Sequence, residues 1–131
     1  MREESKVIIE MVAKKRSEQI AKAEPGVEAN LALDDSGLRG VMQVMKGDQV
    51  LRLEFIETDS TAGQVHFFED YIEVAKSTGF LVLLFPVTKY SRDMASAVYQ
   101  GILNEVRKKA ERDVTLVGFV YDDLGNVRKV G

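Results

Sequence analysis

Cysteine is absent from the chain, so disulfides, Cys-ligated zinc and thiol catalysis are excluded. Long apolar runs are missing too. The longest, GFLVLLFPV (79–87), is the size of a strand and far short of the roughly 20 residues that span a bilayer. No membrane partner is expected. The opening MREESKVIIEMVAKK mixes acidic with basic residues and lacks a small-residue cleavage site, so no signal peptide is expected and the expected location is cytoplasmic. There is no surplus of positive charge. A net charge of −3 argues against strong, indiscriminate nucleic-acid binding, in which several Lys and Arg displace counterions from phosphates. Only local patches remain for that purpose: Lys14, Lys15 and Arg16, and Arg107, Lys108 and Lys109. Each falls in an expected helix, where a solvated face explains it. The G-x-x-x-x-G-K-[ST], G-x-G-x-x-G and G-x-S-x-G patterns are all absent, which leaves nucleotide loops and a serine-hydrolase elbow without support.

What is present reads as one α/β domain over 1–131, a length suited to a single core. Val7, Ile8, Met11 and Val12 recur at helical spacing in 4–23, and Pro25-Gly26 stops the pattern. Residues 27–33 alternate with period two, placing Val27, Ala29, Leu31 and Leu33 on one face. DDSG and KGD then separate two further strands, GVMQVM and VLRLEFIE, in an expected antiparallel meander. A helix is expected over about 63–78, with Val65, Phe68, Ile72 and Ala75 buried and Gly79 ending it. FLVLLFPV is apolar on both faces, as a strand covered on both sides should be. A third helix spans 91–111, capped by Ser91 or Asp93, with Met94, Val98, Ile102 and Val106 on its core side. Gly101 within it suggests a close approach by another element. VTLVGFVY is a further buried strand and VRKV a short edge strand. The order α-βββ-α-β-α-β gives a three-layer domain with a mixed sheet.

That order resembles the restriction-endonuclease-like, or PD-(D/E)XK, superfamily. The more specific likeness lies in GQVHFFEDYIEVAKSTGFLVLLFPV, where Gln64, Phe68, Tyr71, Ala75 and Gly79 follow the cadence of several such nucleases. The resemblance implies a magnesium site built from an Asp on the second strand and Glu/Asp-x-Lys on the third, often with a Glu from the first helix. Carried over by position, Glu10 is the helix acid, Glu54 the strand acid and Gln64 the helix glutamine. The lysine position falls on Ile56. The second-strand positions, Val41 and Gln43, are not acidic, and Asp34 and Asp35 lie back in the preceding turn. The resemblance thus implies a degenerate, non-catalytic relative that binds or assembles, with no cofactor and a link to nucleic-acid metabolism. Two alternatives stay open. One is an active Mg²⁺-dependent nuclease using Glu10, Glu54 and Gln64, with Glu54 on the metal. The other is a stand-alone dimeric domain with no nucleic-acid role.

Two other groups have chemistry-bearing residue types. His66, Asp70 and Glu73 follow an i, i+4, i+7 spacing that would let one imidazole and two carboxylates share a divalent metal, although a solvent-exposed helix face opposite Val65, Phe68 and Ile72 is the better reading. Glu57 and Asp59 stand where the third strand runs out and read as a solvated strand end and turn. Finally, Val41, Met42, Val44 and Met45 make the second strand apolar on both sides. That fits either a central strand or a surface covered by a partner, and a homodimer, the commonest assembly, is the one expected.

Overall fold

The computed structural model describes residues 2–130. Helix α1 (Arg2–Ala23) leads into strands β1 (Glu28–Leu33), β2 (Gly40–Lys46) and β3 (Gln49–Ile56). Helix α2 (Phe68–Thr78), strand β4 (Phe80–Pro86), helix α3 (Arg92–Ala110) and strands β5 (Thr115–Tyr121) and β6 (Val127–Val130) follow. The fold is α/β, with a six-stranded mixed sheet in the order β1-β2-β3-β4-β5-β6. The meander and the closing β5–β6 pair are antiparallel, whereas β3–β4 and β4–β5 are parallel. Both crossovers step the same way across the sheet. Crossovers of one hand must then put α2 and α3 on the same face, where they pack together with Leu81, Leu83 and Phe85. Helix α1 covers the opposite face through Ile9, Val12 and Ala13, against Met42, Ile56, Val82 and Leu84.

Strand β4 is buried on both faces from Leu81 to Pro86, as its unbroken apolar run requires. Other expectations were shifted by local geometry. The helix expected over 63–78 starts later: Val65–Phe67 form a 3₁₀ turn and α2 begins at Phe68, so Val65 is exposed at 74% instead of buried. Gly79 does end it, in the left-handed conformation at φ 75°. Ser91 caps α3 by accepting a hydrogen bond from the Met94 amide at 3.3 Å, while Met94 itself is exposed. Nothing approaches Gly101, which is exposed. The close approach occurs at Gly118 on β5, where a Cβ would overlap the Tyr99 ring. That ring is fixed by its hydroxyl, which donates to the carbonyls of Phe119 at 2.5 Å and Leu83 at 3.2 Å. On α1, Val7 is exposed and Ile8 and Met11 are half-buried. Val12 is buried as the spacing places it, and Ile9, Ala13 and Ile20 complete the core side.

Candidate functional site

Strand β3 sends alternate side chains to opposite faces, and two acidic residues leave it in opposite directions. Arg52, Glu54 and Ile56 face α1. Glu54 is fully buried there, and both of its oxygens are taken. Arg16 of α1 donates from Nε at 2.7 Å and Nη2 at 3.0 Å, and Arg52 adds Nε at 2.9 Å. Arg52 extends the cluster by a bidentate bond to Glu24 at 2.6 and 2.9 Å. The hydrogen bond from Arg52 leads in holding the Glu24 carboxyl below its usual range, and the same bond leads in raising Arg52. Arg16 also stacks over Phe119, 4.3 Å from the ring centroid, so it is not part of a solvated helix face.

These residues do not fit a magnesium ion. Each Glu54 oxygen already accepts from a guanidinium, and the cross-strand partner of Glu54 on β2 is Met42, not Val41 or Gln43, so a thioether and not a carboxylate stands opposite it. Glu10 and Gln64 do not join Glu54. Glu10 is half-exposed beside Lys6 at 4.0 Å, and Gln64 is exposed at the entrance to α2 on the other face. Asp34 is used by its own turn, accepting from Ser36 Oγ and the Gly37 amide. His66 lies in the 3₁₀ turn with its ring on Phe67, which breaks its helical phase with Asp70 and Glu73. Glu73 is exposed and Asp70 pairs with Arg39. Among the described residues no group of three or more His, Asp or Glu is placed to hold a metal.

Glu57 was expected at a wet strand end, and the structure corrects this: it is fully buried under α2. Arg39 donates to it from Nε at 2.9 and 3.1 Å, and the Tyr71 hydroxyl donates to Oε2. Arg39 reaches on to Asp70 at 2.6 Å, and its guanidinium sits over Phe67 and Phe55, 4.2 and 4.5 Å from the centroids. Arg39 Nη2 makes no hydrogen bond among the described residues. Burial opposes both charges. On Arg39 the carboxylates of Glu57 and Asp70 outweigh it, and the guanidinium is held charged. On Glu57 burial outweighs Arg39, Tyr71 and Thr61, and the carboxyl is pushed up. Burial and the neighbouring Glu57 also raise Tyr71, which keeps it a donor. No local pattern pointed to Arg39. Its carboxylate lies 18 residues away and its aromatic neighbours Phe55 and Phe67 are likewise remote in sequence.

The carboxyl ends of β3, β4 and β5 open onto a cleft of about 510 Å³. Its walls include Ile8, Leu38, Pro86 and Tyr121, its hydroxyls Ser5, Thr58, Ser60 and Thr88, and its charges Glu4, Asp59, Asp122 and Asp123. Asp59 is exposed, as expected, and accepts from Thr88 Oγ1 at 2.7 Å. Asp122 is held below its usual range by the Asn126 amides first and then by the Leu124 amide. Among the described residues no lysine or arginine lines the cleft, and such a surface repels phosphate. Among the described residues no helix is long and apolar enough to cross a membrane. Comparison of the chain with protein-family models, curated proteins and solved structures gave no match.

Proposed function

We propose that the chain is a non-catalytic binding or assembly protein on a restriction-endonuclease-like frame whose metal centre has become a structural ion cluster. The observation that carries this reading is the occupation of both Glu54 oxygens by Arg16 and Arg52 in a fully buried position. A nuclease needs an open carboxylate for its metal and a free cation for the phosphate. Here the acid is closed and the cations are spent on it. Purified protein incubated with single-stranded, duplex and branched DNA and Mg²⁺ or Mn²⁺ is expected to leave every substrate intact. Cleavage that disappears in Glu54→Ala would sink the reading.

Assembly on this reading is a homodimer that uses the part of the sheet α2 and α3 leave open. Ala32 and Gln43 are exposed there, and Val41, Met45 and Leu53 are half-buried. On the reverse side Met42 is covered by this chain's own α1, and Val44 is fully buried. Sedimentation equilibrium at about 10 µM, well above the Kd of a stable interface, is expected to give twice the 14.6 kDa chain mass. It should fall to the single mass in Met45→Lys. A wild-type monomer removes the dimer, and a Met45→Lys dimer moves the interface elsewhere.

A further inference from the structure

The acidic cleft continues as a groove along α1, and the geometry points to a docking site for a basic, amphipathic peptide segment of another protein. This deepens the reading of a non-catalytic binding protein by assigning the class of partner. The continuation, about 430 Å³, shares Glu4, Ile8 and Asp123 with the cleft and adds Val7 and Met11. Its outer wall is the β5–β6 turn, which packs so closely on α1 that a Cβ at Gly125 would lie 3.1 Å from the Met11 Cβ. Helix α1 therefore carries two apolar stripes. Ile9, Val12 and Ala13 fill the core, and Val7, Ile8 and Met11 line the groove, with Val7 left 56% exposed. The helical pattern in the sequence contains more apolar residues than the core uses, and the surplus lies along the groove floor.

Charge selects the occupant. Glu4, Asp59, Asp122 and Asp123 outweigh the whole chain's net charge of −3 and leave the remainder slightly cationic. None of the four forms an ion pair among the described residues. They are also not gathered as a metal site would gather them. Carboxylates spread around an apolar floor suit several spaced ammonium or guanidinium groups flanking an apolar anchor. A helix laid in a groove presents such a pattern through residues at i, i+3, i+4 and i+7. Nucleic acid and anionic lipid surfaces are repelled by the same rim.

The test uses the full chain and a fluorescein-labelled helical peptide with leucines on one face and lysines flanking them, read by fluorescence anisotropy. Binding is expected, and it should weaken as salt rises from ~0.05 to ~0.5 M and the screening length falls from roughly 13 to 4 Å. The triple variant Glu4→Gln/Asp59→Asn/Asp123→Asn should bind about tenfold more weakly, the sum of several exposed ion pairs. Val7→Ser should also lose several-fold, and a peptide with glutamate in place of lysine should not bind. All three substituted acids and Val7 are exposed, so these variants are expected to keep the wild-type melting temperature. Equal affinity for wild type and the triple variant, equal affinity for wild type and Val7→Ser, or a preference for duplex DNA would each overturn the proposal. The DNA-cleavage assay reads the non-catalytic reading separately, because cleavage sinks that reading whether or not the peptide binds.

Discussion

Leu83→Asp is expected to leave the protein without a cooperative fold. Leu83 is fully buried at the middle of β4, between α2 and α3 on its own face of the sheet, with β3 and β5 paired on either side. Removing the leucine side chain costs about 2–5 kcal/mol in lost burial and cavity. Placing an unpaired carboxylate there adds several kcal/mol more, or forces it to stay protonated. The whole stability of a domain is only ~5–15 kcal/mol, so the two terms together approach or exceed it. Leu83→Met, which nearly conserves volume, should cost less than about 1.5 kcal/mol and melt cooperatively. Circular dichroism and thermal melts of both variants decide the point. A soluble Leu83→Asp protein melting within a few degrees of wild type would show that β4 is not held as the structure places it.

The same strand shows what the sequence makes legible. A parallel strand covered on both faces needs no polar residue on either, so FLVLLFPV declares its own environment without reference to the rest of the chain. Gly79 and Ser91 are equally local, since a left-handed helix end and a helix N-cap each choose their residue from the conformation of one position. The buried charges are different in kind. Glu57 stands beside Thr58 and Asp59 in what reads as a polar strand end. What makes its burial tolerable is Arg39 from the turn before β2 and Tyr71 from α2. Glu54 depends on Arg16, 38 residues earlier and embedded in a run that reads as a basic helix face. Periodicity reports which side of an element is dry. It does not report which distant cation meets which carboxylate. Val65 fails for a smaller reason: the 3₁₀ turn has three residues per turn, so the helical phase cannot be extended backwards from α2 through it.

Arg39→Leu is expected to destabilise the protein by about 3–5 kcal/mol near neutral pH, because it strands a buried carboxylate. Each kcal/mol is worth roughly 3–5 °C in a domain of this size, so the melting temperature should fall by about 10–20 °C. The guanidinium is 3% exposed and Glu57 is fully buried, so water cannot take over the lost contact. Asp70 also loses its partner, but it is more than half exposed and that loss is small. The pH dependence identifies the cause. Burial already raises the Glu57 carboxyl in the folded protein, and the charge of Arg39 leads the effects that oppose it. Without Arg39 the folded value rises further. An acid raised on folding contributes stability that is fully present below its unfolded pKa of ~4.3 and lost as pH rises through the folded value. The gap between wild type and Arg39→Leu should therefore be widest at about pH 8 and narrow toward about pH 5, as Glu57 takes up a proton in the variant. Glu24 and Asp122 are lowered on folding, so both proteins lose their contributions as pH falls, and these cancel in the difference. Arg39→Leu/Glu57→Gln removes the stranded charge while leaving Tyr71 an acceptor. It should recover at least half of the loss, and its gap to wild type should not widen as pH rises, because only wild type still carries the raised Glu57 carboxyl. Urea melts of the three proteins across that range supply the measurement. A gap that stays constant or widens on acidification in the single variant, or a double variant no more stable than the single, would show that the Arg39–Glu57 pair does not hold β2, β3 and α2 together as described.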